Sequence, residues 1–174
     1  MRYKLAAIPI PVFLIILYFL YSGLNKNPTL IPSPLIGKSV PEFSSTTLID
    51  NKIITNQNML GKSYILNVWG SWCYGCSLEH NFLIDIYNTD TIEIYGLNYK
   101  DSRENAIEWL RSKGNPYKKI IFDSDGDIAI DFGVYGAPET FLINENGIII
   151  HKHVGPIDNK FFNDVLLPKI KKWK

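Results

Sequence analysis

The only two cysteines of this 174-residue chain stand three positions apart, Cys73 and Cys76, at a junction of two unlike patterns. Before them runs Tyr64-Ile65-Leu66-Asn67-Val68-Trp69, an apolar stretch of the length and composition of a buried strand. After them, Ser77 to Tyr87 reads as a helix. Few folds place a C-x-x-C pair between a buried strand and the first turn of a helix. A second stretch adds to the constraint: Gly133-Val134-Tyr135-Gly136-Ala137-Pro138-Glu139-Thr140-Phe141 sets a proline just ahead of another apolar strand, Phe141-Leu142-Ile143.

The remaining pattern alternates strands and helices. Thr46–Ile49 and Lys52–Thr55 flank Asp50-Asn51 as a small hairpin. Strand 64–69, helix 74–88 and strand 92–98 follow. Ser102 caps a helix through Ala106, Ile107, Leu110 and Lys113, stopped by Gly114. Then come strand 119–122, a short helix 128–132, and a hairpin of 139–143 with 148–154 through Asn146-Gly147. Asp158 caps a final amphipathic helix bearing Phe161, Phe162, Val165, Leu166 and Ile170. This predicts an α/β fold, a central mixed sheet, largely parallel, flanked by helices. With C-x-x-C at the first strand-to-helix turn it is thioredoxin-like, with an extra N-terminal β-hairpin.

The N-terminus has its own logic. Leu5–Tyr21 is apolar and uncharged, and Arg2 and Lys4 precede it. Its 17 residues sit at the short end of what spans a bilayer. A cleaved signal peptide is the rival, but small residues at the −3 and −1 positions are poorly supplied. The expectation is an uncleaved transmembrane helix with its tip in the cytoplasm and the body outside, on the periplasmic side of a bacterial inner membrane. Residues 1–22 are assigned to tip and anchor, 23–41 to a proline-rich linker and 42–174 to the domain. Beyond residue 36 the chain carries 15 basic and 17 acidic side chains, which gives no reason to expect nucleic acid.

The cysteine spacing carries the chemistry. Cys73 at a helix N-terminus is stabilised as thiolate and is expected to attack; Cys76, one turn on, resolves the mixed disulfide. A structural disulfide would usually close a longer loop. Zinc needs two further ligands, which His80, His151 and His153 do not supply at a paired spacing. No metal or other cofactor is expected beyond the cysteine pair. His151 and His153 alternate on a strand and read as exposed surface. Asp123-Ser124-Asp125-Gly126-Asp127 has its glycine one place early for a calcium loop and reads as a solvated turn. If the bond before Pro138 is cis, the backbone of Ala137 faces a partner strand beside Cys73.

Asn67-Val68-Trp69-Gly70-Ser71-Trp72-Cys73 through Cys76 with Glu79-His80, then Asn98-Tyr99-Lys100-Asp101, Gly114-Asn115-Pro116-Tyr117 and Gly133 to Phe141, resemble the CcmG/DsbE family over about residues 35–155. The resemblance implies a membrane-anchored thiol-disulfide oxidoreductase, a monomeric domain serving cytochrome c maturation. It implies reduction of the C-x-x-C-H disulfide of apocytochrome c, or of CcmH, and re-reduction by DsbD or CcdA. It carries functional positions onto Trp72, Cys73, Cys76, Glu79, Tyr135, Pro138 and Glu139, with Ala137 beside them. Glu79 and Glu139 read either as an acidic neighbourhood tuning the thiols and choosing partners or as two solvated surface acids. Asn67 stands where thioredoxins carry a buried Asp, so one of these acids is a candidate proton carrier. Tyr74-Gly75 departs from the proline-containing pairs of the family. A broader TlpA/ResA-like exported reductase is the second reading, and a non-redox module binding apocytochrome or haem the third.

Overall fold

A computed structural model describes residues 9–24 and 33–172. They fall into two units, one up to Ile31 and one from Pro32 onward.

The first unit is helix α1, Pro9–Leu24. Its prolines, Pro9 and Pro11, occupy the first turn, where a missing N–H breaks no helical bond. Its 16 residues rise about 24 Å, short of the roughly 30 Å hydrocarbon layer. Among the described residues, no helix is long and apolar enough to cross a membrane. The expected span began at Leu5; Leu5–Ile8 lie outside the described residues, as do 25–32 of the expected linker.

The second unit is built on a seven-stranded mixed sheet. Its strands are β1 (Ser44–Thr47), β2 (Ile53–Thr55), β3 (Tyr64–Trp69), β4 (Glu93–Tyr99), β5 (Lys119–Asp123), β6 (Glu139–Ile143) and β7 (Ile149–Val154), in spatial order β2-β1-β5-β4-β3-β6-β7. Only β3–β4 and β4–β5 pair in parallel; β1–β2, β1–β5, β3–β6 and β6–β7 are antiparallel. The sheet is mixed, as expected, with fewer parallel pairs than the strand–helix alternation suggests. Only two connections contain the long crossover helices that parallel neighbours require. These are α2 (Tyr74–Asn88) and α3 (Arg103–Lys113). A short helix, α4 (Asp127–Asp131), follows β5.

Strand β3 shows why its sequence is a continuous apolar run: all six residues are buried. Tyr64, Leu66 and Val68 face a core shared with Ile128, Ala129 and Phe132 near α4. Ile65 and Trp69 face the core under α2 and α3, and Asn67 shares their side of the strand. Trp69 stacks on Tyr117 at 5.5 Å and lies near Trp109 at 5.1 Å.

The chain closes with α5 (Asn159–Phe161), a π turn (Phe162–Leu166) and α6 (Leu167–Lys172). Asp158 caps it, accepting from the Phe161 N–H at 2.7 Å. The sequence pattern predicted one regular helix. Pro168 accounts for the difference, since it cannot donate to the carbonyl four residues back. The Leu167 N–H reaches Phe162 O instead, five residues back.

Two further differences bear on boundaries. Within the expected linker, the Gly37 N–H donates to Ile149 O, the Val40 N–H donates to Gly147 O, and Lys38 O accepts from the Ile149 N–H. The packed unit thus starts ahead of residue 42. Asp123, expected in a solvated turn, is buried and accepts from the N–H groups of Ile128 and Ala129, so it holds α4 in place.

Candidate active site

β3 ends at Trp69, and the chain turns through Gly70, Ser71 and Trp72 into α2. Asp101, just beyond β4, clamps that turn. Its carboxylate accepts from the Ser71 N–H at 2.6 Å, the Ser71 hydroxyl at 2.7 Å and Asn98 Nδ2 at 3.1 Å. Trp72 folds back over Gly70 and donates from Nε1 to the carbonyls of Tyr99 and Lys100 at 3.2 and 3.0 Å. A Cβ at Gly70 would lie 2.5 Å from Trp72 Nε1, so glycine leaves room for the indole to fold back here. With its indole nitrogen so engaged, Trp72 remains 54% exposed.

Cys73 is the N-cap of α2 and is joined to Cys76 by a disulfide. Its Sγ accepts from the Cys76 N–H at 3.0 Å. The free N–H groups and positive dipole end of α2 favour negative charge on this sulfur once the pair is reduced. Cys73 and Cys76 are 4% and 2% exposed, so the bonded pair is covered on both sides of the bridge. Tyr74, in the dipeptide between them, is exposed.

The second half of the site comes from β6. Its antiparallel pairing with β3, in register Val68 to Glu139, brings the start of β6 beside the end of β3. The Ala137–Pro138 bond is cis. A Cβ added at Gly75 would lie 2.8 Å from Pro138 Cδ, so the proline ring rests directly on the first turn of α2. Pro138 O accepts from the Gly155 N–H at 2.9 Å. Tyr135 stands out from this loop, 73% exposed.

Behind the disulfide lies a buried polar network. Glu79 is three residues past Cys76 on the same face of α2 and is 1% exposed. Its Oε1 accepts from Asn67 Nδ2 and its Oε2 from the Ile157 N–H, both at 2.8 Å. Asn67 Nδ2 also lies 3.2 Å from Thr140 Oγ1, and Asn67 Oδ1 accepts from the Tyr117 hydroxyl at 2.9 Å. Burial pushes the Glu79 carboxyl up to about 7, against the two hydrogen bonds that favour its anion. Burial also raises the Tyr117 hydroxyl well above its ordinary value, and the neighbouring Glu79 charge adds to this.

Glu139 is fully buried as well, but in a different setting. Its Oε1 accepts from the Tyr135 N–H at 2.8 Å, and Lys152 Nζ lies 2.9 Å from its Oε2. The two acids share no partner, and neither is a solvated surface group. His80 is buried too, with Nε2 3.1 Å from Gly114 O, its ring edge-on to Trp109 and its pKa lowered chiefly by burial. His151 and His153 do share a face, half-covered by Phe161 at 5.9 and 3.9 Å. Among the described residues no group of three or more His, Cys, Asp or Glu side chains could hold a metal ion.

The chain that carries this cysteine pair is similar to known proteins. The redoxin family model covers residues 35–166. The thiol:disulfide interchange protein DsbE of Pseudomonas aeruginosa is 43% identical over 169 residues, spanning 97% of this chain and 93% of its own. DsbE of Escherichia coli K12 is 41% identical over 180 residues, spanning 99% and 97%. The chain belongs to the DsbE (CcmG) family. A putative DsbE from Chlorobium tepidum has the same fold, with a TM-score of 0.65 at 23% identity over 79% of this chain and 96% of that one. The protein is a thiol-disulfide oxidoreductase, and Cys73 and Cys76 are its redox pair.

Three residues of this region escape a reading of side chains by local pattern. Asp101 follows a strand and looks like an ordinary helix-entry acid. Tyr117 lies in a turn motif with nothing to mark its hydroxyl as buried. Lys152 stands between two histidines on an edge strand, where a lysine ordinarily reaches solvent.

Proposed function

We propose that this protein is the exported, membrane-anchored reductant of cytochrome c maturation, reducing the disulfide of an apocytochrome C-x-x-C-H site or of CcmH. The observation that carries this reading is the 43% identity with DsbE of Pseudomonas aeruginosa over 97% of this chain. In the reaction, the Cys73 thiolate attacks one sulfur of the partner disulfide and releases the other as thiolate. Cys76 then loses its proton and attacks Cys73 Sγ, releasing the second partner thiolate. The partner gains two electrons and two protons, one proton from Cys76 and one from solvent, since Cys73 began as thiolate, and the protein is left with the Cys73–Cys76 disulfide.

In this reading Glu79, on the same face of α2 with a carboxyl raised to about 7, takes the Cys76 proton. Trp72, Tyr135 and the Ala137–Pro138 backbone form the partner surface, which pairs with an extended segment carrying the attacked disulfide. DsbD or CcdA restores the dithiol. The apolar Leu5–Tyr21 segment anchors a monomeric domain on the periplasmic face of the inner membrane.

The test is direct exchange. Reduced protein is mixed with an oxidised C-x-x-C-H peptide, and the Cys76→Ser variant is used to trap the mixed disulfide for mass spectrometry. The expected adduct joins Cys73 to the peptide and forms faster than with a scrambled peptide disulfide. Equal rates for the two peptides would make the protein a general exported reductase of the TlpA/ResA kind.

A further inference from the structure

Lys152 is the unusual residue of this domain. Its side chain is 4% exposed, although the backbone of edge strand β7 around it reaches solvent. A lysine buried this deeply needs partners for its charge and its three donors. Here most of its contacts lead to the loop beside the disulfide. Nζ lies 2.9 Å from Glu139 Oε2 and donates to the Gly133 carbonyl at 2.6 Å. It sits over the Tyr135 ring at 4.5 Å and the Phe141 ring at 5.3 Å. Glu139 Oε2 has no aligned donor, so the contact with Lys152 is chiefly Coulombic. The other oxygen of Glu139 takes the Tyr135 N–H.

The pair therefore holds the Gly133–Pro138 loop at both ends and at its exposed aromatic tip. Lys152 grips the carbonyl where the loop begins, Glu139 is the residue where it ends, and both hold Tyr135 between them. Neither Lys152 nor Glu139 hydrogen-bonds to a cysteine or to the Glu79 network. A neutral surface turn would leave Tyr135 free to sample rotamers, and that entropy would be lost on partner binding.

We propose that Lys152, through its ion pair with Glu139, is a positioning residue that presets Tyr135 and the loop backbone for a polypeptide partner and thereby sets partner selectivity. Glu139 then acts as a counter-charge inside the protein rather than as an acid offered to the thiols. The proposal rests on the reading of this loop as the partner surface.

Loss of one charge from a buried pair can unfold a domain, so the deciding variant is Lys152→Met/Glu139→Gln, which leaves no orphan charge and keeps the volume. Near-UV circular dichroism checks its packing. Steady-state exchange is measured with an oxidised C-x-x-C-H peptide and with the neutral small disulfide dithiodipyridine. The expected result is a peptide KM raised about tenfold, as for the loss of one charge-assisted contact. Both kcat and the dithiodipyridine rate should stay within about threefold of wild type. Tyr135→Ala should raise the peptide KM in the wild type and add little in the double variant. Lys152→Arg alone, which keeps the charge, should retain most of the wild-type affinity for the peptide. A normal peptide KM in the double variant, with Tyr135→Ala still harmful, would overturn the inference and leave the docking surface standing. A harmless Tyr135→Ala would remove the docking reading itself. An equal loss with both disulfides would place the pair in thiol chemistry, against the proposal.

Discussion

At the scale of single residues, the two cysteines are unequal because only one caps a helix. In reduced protein, Cys73 should be alkylated at least about tenfold faster than Cys76 at pH 7, since the helix end favours its thiolate. Mass spectrometry after timed iodoacetamide quenching would measure this, and equal rates would remove the helix-end argument. Glu79 carries a second expectation. Its carboxyl is raised in the folded state from 4.5 to about 7, so the folded protein holds this proton more tightly than the unfolded chain. Stability from this group is therefore lost as pH rises from about 4.5 to about 7, by roughly 3 kcal/mol. His151 acts in the opposite sense: burial, with help from Lys169 and His153, lowers it to about 4, so its contribution rises with pH between about 4 and 6.5. The difference between wild type and Glu79→Gln isolates the acid. Chemical denaturation should show the variant gaining relative stability between pH 4.5 and 7, and a parallel pair of curves would mean that Glu79 stays ionised. The glutamine side chain fits there if the Asn67 amide turns over, because the Tyr117 and Thr140 hydroxyls can each donate or accept.

At the scale of elements, the active turn is shaped by two close approaches. Gly75 against Pro138 is the tighter test, because the ring atom it faces belongs to a rigid side chain. Gly75→Ala should cost about 1–3 kcal/mol by overpacking and move the loop away from α2. Thermal unfolding would measure the cost, and an unchanged midpoint would mean that the two elements yield without strain. The elements themselves are largely legible in the chain. β3 announces itself as an unbroken apolar run, and α3 by Ser102, which caps it through the Asn105 N–H, and Gly114 at its end. The π turn is not legible as such, because Pro168 interrupts a helical pattern that otherwise keeps its apolar spacing. Antiparallel pairing of β1 with β5 is also hidden, since alternation along a strand records which face is buried and says nothing of which neighbour lies beside it.

At the scale of the molecule, the cysteine pair and the Pro138 loop can be read from the chain because each depends on local chemistry. The strut between Lys152 and Glu139 cannot, because burial of a lysine is decided by what β6, β7 and the loop build around it. The division into two units carries its own prediction. A protein lacking residues 1–31 should fold, reduce small disulfides at the wild-type rate and remain soluble, whereas the full chain should partition with membranes. Sedimentation with lipid vesicles would check this; equal recovery of both in the supernatant would remove the anchor. The pairing of β3 with β6 also matters for a chain synthesised from its N-terminus. Its sulfurs are made early, while the strand that will lie beside them is still to come. Reactivity then belongs to the first half of the polypeptide and discrimination to the completed one, so a change confined to the loop ahead of β6, which spares the sheet, should yield a promiscuous thiol rather than an inert protein.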